Sequence, residues 1–258
     1  MSVLAQLPSG ATPPSPRPVR SQLCGLSAIA IALDKRDDLQ LIMLRSDDTS
    51  DEARALAAQA TQRGVRVWRC GAGDMRRLGR GPESDRALAL IGPSPSATLF
   101  ELLGRGGLSW LLHQALYPSN VGFAVRTAEV SGAAGVIVDA TFNHEQRARV
   151  EHVSMGAAHM LPVLYHDSER ALEAAAAQGV RVLCIEDVGA SAPWEVDLTG
   201  PLVCLIGSER SGISKALLER CDRVVRIPMA GFVPSYNVQA AIAAIAIERL
   251  RQLGLVAQ

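Results

Sequence analysis

The chain has 258 residues, of which 48% are hydrophobic, and its 26 basic and 26 acidic residues cancel. That length allows one or two domains with a sizeable apolar core. The balanced charge excludes a protein that binds nucleic acid by bulk positive charge alone. The five cysteines include no C-x-x-C pair, so we expect reduced thiols, no disulfide, no structural zinc and a cytoplasmic protein.

The first residues, 1–21, are rich in proline and serine and predict a disordered arm. They lack the apolar stretch of a signal peptide. Residues 240–247 form the longest apolar run near the end, which is far short of the roughly 20 residues that span a membrane. We therefore expect neither a secretion signal nor a membrane helix.

Residues 22–92 alternate strand and helix patterns, as in a small α/β domain. Apolar runs predict strands at residues 39–45, 65–70 and 86–92. A capped pattern with early acids and a closing glycine predicts a helix over residues 49–64. Residues 26–33 fit either a helix or a strand, and their alanine content favours a helix.

Residues 93–107 predict a linker with a short helical turn, and residues 108–258 predict a second domain. Its predicted strands are residues 108–114, 135–140, 162–166, 180–187, 201–207 and 223–229. Its predicted helices are residues 121–131, 167–179, 213–221 and 238–253. Strands that are apolar on both faces and separated by helices indicate a parallel sheet covered on both sides.

Several common sites are missing from the sequence. It contains no Walker A loop and no G-x-G-x-x-G at the start of a βαβ unit, so a phosphate loop or a dinucleotide site is not predicted. No cysteine and histidine cluster has metal-ligand spacing, so we expect no metal.

Three stretches carry the chemistry. In "YPSNVGFAVRTAEVSG" (residues 117–132), Asn120 is the expected helix N-cap and Arg126 lies off the apolar helix face. Taken alone, Arg126 also fits a solvated surface arginine. In "LIGSERSGIS" (residues 205–214), a buried strand runs into Gly207 and Glu209, at the strand end where parallel sheets bind ligands. Taken alone, Glu209 also fits an ordinary acid at a helix N-terminus.

The third stretch, "IPMAGFVPSYNVQAA" (residues 227–241), places polar side chains directly before an apolar helix. Together the three stretches resemble the SpoU (TrmH) family of RNA ribose methyltransferases, in the SPOUT superfamily. The matching residues are Asn120, Gly122, Arg126, Thr127 and Ala128; Gly207, Glu209 and Gly212; and Ile227, Pro228, Met229, Gly231, Ser235, Asn237 and Val238. The resemblance covers about residues 108–258, including the stretch at 153–163. Residues 22–92 resemble, more weakly, the family's small RNA-binding domain.

The chain departs from the family pattern at three points. Tyr236 replaces the usual leucine, Gln239 replaces the usual serine, and the small domain lacks the His-Gln-Gly that usually closes it. These departures bear on the identity of the RNA target more than on the reaction.

The resemblance implies an α/β fold with a trefoil-knotted parallel-sheet methyltransferase domain, although neither periodicity nor spacing predicts a knot. It implies S-adenosylmethionine as cofactor, bent in the cleft that the knot makes. The implied cofactor-binding positions are Ile185, Gly207, Ile227, Met229 and Tyr236. It further implies a homodimer, in which Arg126 of one subunit serves the cofactor of the other.

The implied reaction passes a methyl group to a ribose 2′-hydroxyl, which must be aligned with the sulfonium. Arg126 is the catalytic candidate. Its guanidinium, with a pKa above about 12, suits gripping RNA better than acting as a base, although a base role stays open if the site lowers that pKa. Glu209 and Asn120 would hold the guanidinium, and Ser235 and Asn237 would order the loop and the hydroxyl.

RNA capture is assigned to the first domain, because residues 66–86 carry six arginines against three acids. Arginine suits phosphate contacts, and a GC-rich genome gives the same bias. Within that range the candidates are Arg76, Arg77 and Arg80. Ribosomal RNA is the first choice of target and tRNA the second, and an antibiotic-resistance role stays open. The alternative is a non-catalytic RNA-binding or assembly factor, which the retained polar residues disfavour.

Overall fold

The structure, a computed structural model, describes residues 20–208 and 211–255. Its first part is a four-stranded mixed sheet in the order β1-β4-β2-β3. The strands are β1 (Ser21–Cys24), β2 (Leu39–Arg45), β3 (Arg66–Cys70) and β4 (Ala87–Ile91). The helices are α1 (Leu26–Lys35), α2 (Asp51–Gln62) and α3 (Ala72–Leu78). We call this part the N-terminal sheet.

Most of the predicted elements of the N-terminal sheet are confirmed, and residues 26–35 form a helix. Ser50 caps α2 by accepting a hydrogen bond from Ala53 N at 3.2 Å. The predicted arm lies outside the described residues up to position 19. Its last residue, Ser21, instead opens β1, which pairs antiparallel with β4. Strand β1 was not predicted, because four residues at a sheet edge form too short a sequence pattern.

The second part is a six-stranded sheet in the order β10-β8-β9-β5-β6-β7, in which every described pair is parallel. Its strands are β5 (Leu108–Leu112), β6 (Gly135–Val138), β7 (Val163–Tyr165), β8 (Arg181–Ile185), β9 (Leu202–Ile206) and β10 (Arg223–Val225). Its helices are α4 (Leu99–Gly104), α5 (Pro118–Val130), α6 (His144–Val153), α7 (Ser168–Ala177), α8 (Lys215–Leu218) and α9 (Val238–Gln252). The predicted parallel sheet with two covered faces is confirmed.

Two apolar cores flank this parallel sheet. One contains Trp110, Val125 and Ile242, beneath α5 and α9. The other contains Leu102 and Leu172, beneath α4 and α7. Helix α4 lies in the segment predicted as a linker, and its leucines are buried in the second core.

Helix α6 was missed by sequence reasoning because it has almost no apolar face. Val150 is its buried residue. The signal that was available is its capping box, in which Asn143 and Gln146 satisfy each other's backbone N–H groups.

The expectation of wholly reduced cysteines is wrong, because the structure joins Cys184 and Cys221 in a disulfide. Cys184 lies in β8 and pairs in register with Val224 of β10, and Cys221 lies two residues before β10. The parallel pairing therefore brings together two cysteines 37 residues apart, a separation that carries no sequence signal. Within the described ranges, no helix is both long enough and apolar enough to cross a membrane.

Candidate active site

A cavity of about 270 Å³ opens at the carboxyl ends of β8, β9 and β10. We call it the strand-end cavity. Its walls are Ile185, Glu186, Asp187, Ile206, Gly207, Ser208, Gly212, Ile227, Met229, Pro234, Ser235, Tyr236, Asn237, Val238 and Ala241. The sequence stretches that end in Ile185, contain Gly207 and begin at Ile227 therefore meet at one place.

The loop after β9 is tightly folded back on itself. A Cβ on Gly207 would lie 2.6 Å from the carbonyl carbon of Gly212, so the two backbones touch where no side chain fits. Gly212 has a φ of +61°, which favours glycine. Glu186 fixes this loop to the neighbouring strand end, since its Oε2 accepts a hydrogen bond from Ile213 N at 3.0 Å.

The loop after β10 is closed by its own polar side chains. The Tyr236 hydroxyl donates to the carbonyl oxygen of Pro228 at 3.1 Å. Asn237 caps α9, because its Oδ1 accepts from Gln239 N at 2.9 Å. Its Nδ2 lies 3.5 Å from Asn120 Oδ1, which links the third sequence stretch to the first.

The prediction that Asn120 caps α5 is wrong. The helix begins at Pro118, with Tyr117 as its N-cap residue. Proline suits the first helical position because its missing N–H would have no helical partner there. Asn120 instead lies in the first turn, beside a smaller pocket that it lines with His113 and Gly207.

Arg126 lies on the exposed side of α5 and does not line the strand-end cavity. It follows Asn120 by six residues, or about 9 Å along the helix. Its Nη1 lies 2.8 Å from the sulfur of Met155. Glu209, the predicted partner of Arg126, lies outside the described residues.

Sequence reasoning missed the acidic wall of the strand-end cavity. Glu186 and Asp187 follow β8 directly, and an acid pair after an apolar run was the available signal. It also missed a buried polar cluster beside the site. His113 Nδ1 lies 3.0 Å from Asp139 Oδ2 and 2.8 Å from Ser168 Oγ.

That buried cluster is not a nucleophilic triad. A triad needs the serine and the carboxylate on opposite ring nitrogens of the histidine, and here both face Nδ1. The carboxyl of Asp139 is partly buried, which alone would raise its pKa, but hydrogen bonds from His113 and Ser168 hold the pKa below its usual value. The cluster therefore ties the ends of β5 and β6 to the start of α7.

The predicted RNA-binding arginines lie on or directly after α3. Arg77 is paired with Asp74 at 2.7 Å. Arg80 is close enough to Glu129 of α5 to act on its carboxyl, where burial raises the pKa and Arg20 and Arg80 oppose the rise. Within the described ranges, no group of three or more His, Cys, Asp or Glu side chains is placed to hold a metal.

A model of the SpoU rRNA Methylase family matches residues 108–247. The chain belongs to this family. It is similar to 23S rRNA (guanosine-2′-O-)-methyltransferase RlmB of Pseudomonas syringae pv. tomato, with 32% identity over 79% of this chain and 80% of that protein. RlmB of Pseudomonas putida is 36% identical over 52% of this chain, which spans 55% of that relative's length.

Two solved structures share the fold. The SpoU methyltransferase AviRb of Streptomyces viridochromogenes, in complex with AdoMet, has a TM-score of 0.56 and 25% identity, covering 91% of this chain and 90% of that one. An AdoMet-bound rRNA methyltransferase from Sinorhizobium meliloti has a TM-score of 0.59 and 22% identity, covering 91% and 88%. This SpoU protein is an RNA ribose 2′-O-methyltransferase that uses S-adenosylmethionine.

The strand-end cavity fits that cofactor chemically. Apolar walls at Ile206, Ile227 and Val238 suit an adenine ring. The carboxyl side chains of Glu186 and Asp187 suit a ligand that carries a sulfonium and an ammonium. Because Gly207 and Gly212 have no side chains, their backbone atoms form this part of the cavity wall.

Proposed function

We propose that this SpoU methyltransferase acts on the ribose 2′-hydroxyl of a guanosine in 23S ribosomal RNA. The observation that carries the proposal is the meeting of the three family motifs around the strand-end cavity. The relatives named above act on a guanosine of that RNA. Transfer RNA is the second candidate target, and the alternative is a non-catalytic assembly factor, which would neither bind the cofactor nor transfer a methyl group.

The residues divide the work between the cofactor and the RNA. Bound S-adenosylmethionine would supply the methyl group, and Ile185, Gly207, Ile227, Met229 and Tyr236 would hold it in the strand-end cavity. The hydrogen bond from Tyr236 to Pro228 fixes the loop that would lie against the cofactor. Cofactor binding thus depends chiefly on the backbone of three loops.

On the RNA side, Arg126 would grip the phosphate or ribose of the target nucleotide, with Glu209 and Asn120 holding the guanidinium. Ser235 and Asn237 would order the loop and the reacting hydroxyl. Arginine is suited to this task because its planar fork matches phosphate geometry. Alignment of the hydroxyl with the methyl group supplies much of the rate.

A homodimer completes this proposal. Arg126 does not reach the strand-end cavity of its own chain, so a second subunit would bring the two together. Apolar side chains are exposed on the two neighbouring helices, namely Leu116, Tyr117, Phe123 and Val130 of the α5 region and Ile247 of α9. Light scattering at micromolar concentration should show a dimer, and a monomer with full activity would contradict it.

The division of the chain and its setting follow the same proposal. Residues 22–92 would capture RNA through Arg76, Arg77 and Arg80, residues 93–107 would link them to the methyltransferase part at 108–258, and the C-terminal segment would form a trefoil knot. Family membership supports these assignments. An enzyme that modifies ribosomal RNA would work in the cytoplasm.

Mapping ribose methylation on total RNA tests the target. A deletion strain should lack one methyl group on a 23S rRNA guanosine, and the purified protein should restore it with labelled S-adenosylmethionine. Loss of a tRNA methyl group would reassign the target. An intact methylation map, together with no binding of labelled cofactor, would favour the assembly factor.

A further inference from the structure

The N-terminal sheet grips the chain between α6 and β7. We call residues 155–160 the junction segment. Its last residue, Met160, is buried in the apolar core of the N-terminal sheet, beside Met43. His159 Nδ1 lies 2.8 Å from Arg66 Nη2, and the His159 ring centroid lies 4.4 Å from that of Trp68. Edge strand β3 therefore holds the end of the junction segment from one side.

Trp68 also holds the start of the junction segment. Gly156 has a φ of +88°, and a Cβ there would lie 2.6 Å from Trp68 Cη2. The indole therefore rests directly on the Gly156 backbone, where no side chain fits. Because the ring belongs to β3, the N-terminal sheet fixes this turn.

On its other side, the junction segment contacts the catalytic candidate. Met155 has a φ of +54°, a left-handed conformation that unbranched residues adopt rarely and that is concentrated at functional sites. Its sulfur lies 2.8 Å from Arg126 Nη1.

The helix that leads into the junction segment also packs on the helix that carries Arg126. One helical turn before Arg126, a Cβ on Gly122 would lie 2.9 Å from the Val150 carbonyl oxygen, so α6 lies directly against α5.

We propose that Met155 is a positioning residue for Arg126, and that Trp68 holds the backbone turn that directs Met155 toward it. This inference rests on the proposed role of Arg126. A thioether sulfur is a weak acceptor, so it orients one edge of the guanidinium and leaves the other N–H donors for RNA. The N-terminal sheet thereby sets the geometry of methyl transfer as well as capturing RNA.

Two variants at Met155 separate positioning from packing. Leucine keeps the volume and removes the acceptor, and volume-conserving swaps of this kind are usually well tolerated. Glutamine supplies a stronger acceptor of similar length. In single-turnover transfer with saturating cofactor and RNA, Met155→Leu should be slower by about tenfold or more. Met155→Gln should keep most of the rate, whereas the reverse ranking would show packing alone and overturn the proposal.

Trp68 is tested by a double-mutant cycle with Arg126→Lys. Trp68→Ala should slow transfer in the normal chain and have no further effect in the Arg126→Lys chain. Equal slowing in both chains, or none in the normal chain, would overturn the inference. Phe100→Ala, at an exposed aromatic on α4, is the matched control and should leave the rate unchanged.

The outcomes distinguish this inference from the proposed function. If Arg126→Ala transfers methyl normally, the role of Arg126 itself fails. If Arg126→Ala loses transfer while the Met155 and Trp68 variants keep it, only the inference fails. Cofactor binding and thermal melting show whether each variant is folded, and the Met155 ranking still decides if Trp68→Ala does not fold.

Discussion

The strand-end cavity and the surroundings of Arg126, which we call the Arg126 site, belong to the same part of the chain, but different kinds of contact form them. Three neighbouring loops form the cavity, and at its tightest point two glycines, Gly207 and Gly212, are in backbone contact. Arg126 stands on an exposed helix, where its contact comes from Met155. The segment that carries Met155 is itself held by the N-terminal sheet through Trp68.

The difference indicates which perturbations each site should feel. The cavity depends on backbone positions within one sheet, so variants at the junction between the sheets should leave cofactor affinity alone. The Arg126 site depends on side-chain contacts that span both sheets, so it should respond to changes far from the cavity. Cofactor binding and methyl transfer should therefore separate in well-chosen variants.

The largest difference between the effect on methyl transfer and the effect on cofactor binding is expected at Arg126. Arg126→Ala should fold and bind S-adenosylmethionine normally, because the side chain is exposed and lies outside the cavity. It should lose about 100-fold or more in single-turnover methyl transfer, the usual scale for one positioned charge-stabilising donor. Arg126→Lys should recover little, because lysine keeps the charge without the planar fork. Near-normal transfer by a folded Arg126→Ala protein would contradict the assigned role.

At Gly207 we expect the opposite pattern, in which a substitution weakens cofactor binding directly. A Cβ there would overlap the Gly212 backbone at 2.6 Å, so Gly207→Ala must shift the loop after β9. We expect cofactor affinity to fall by about tenfold, or 1.4 kcal/mol, measured by calorimetry. Gly73→Ala is the control, since a Cβ at Gly73 meets nothing within 4 Å. Equal cofactor affinity in the two variants would show that the loop tolerates the shift.

Much of this fold was predictable from local pattern. The strands of the parallel sheet are apolar on both faces, and helices such as α2 and α7 carry caps and closing glycines that the sequence displays. Helix α6 was not predictable from periodicity, because packing against α5 at Gly122, rather than an apolar stripe, places it there. The Cys184–Cys221 bond depends on a pairing of β8 with β10 that no local pattern reveals.

The site was predictable to the extent that it lies in contiguous motifs. Gly207, Ile227 and Asn237 fall within stretches that could be matched to a family, and the structure places all three on the cavity wall. Met155 also lies in a matched stretch, at 153–163, but the motif does not show its left-handed backbone or its contact with Arg126, 29 positions away. Contacts of that kind depend on the fold.

A smaller effect is expected on RNA binding. Replacing Arg76, Arg77 and Arg80 with alanine should weaken RNA binding and flatten its salt dependence, by about 0.7 to 0.9 in the log–log slope for each phosphate that the variant no longer neutralises. The matched control removes three ion-paired arginines of the N-terminal sheet: Arg36, Arg54 and Arg63. Filter binding across a salt series measures both sets, and cofactor affinity should not change. Identical slopes for the two triple variants would show that Arg76, Arg77 and Arg80 are ordinary solvated surface charges.

The smallest effect, and the most specific to the junction, concerns pH. Burial lowers the pKa of His159, Arg66 lowers it further and Glu151 opposes the shift. In the folded protein the neutral ring accepts a hydrogen bond from Arg66, an interaction that protonation would replace with repulsion. A histidine with a depressed folded pKa contributes its stability above the unfolded value of about 6.5, and that contribution declines as the pH falls through 6.5 toward the lower folded value.

We therefore expect the melting temperature to fall more between pH 7.5 and 5.5, a window of about one unit either side of the free histidine value, in the natural chain than in His159→Gln. Glutamine can accept the same hydrogen bond from Arg66 and does not titrate. Because every other ionisable side chain is the same in both proteins, the difference between the two curves isolates His159. The methyl-transfer rate should also fall more with pH in the natural chain than in His159→Gln, because the junction segment carries Met155. Cofactor affinity should change equally in the two proteins. Parallel melting curves would show that the ring is too solvated to couple protonation to the junction.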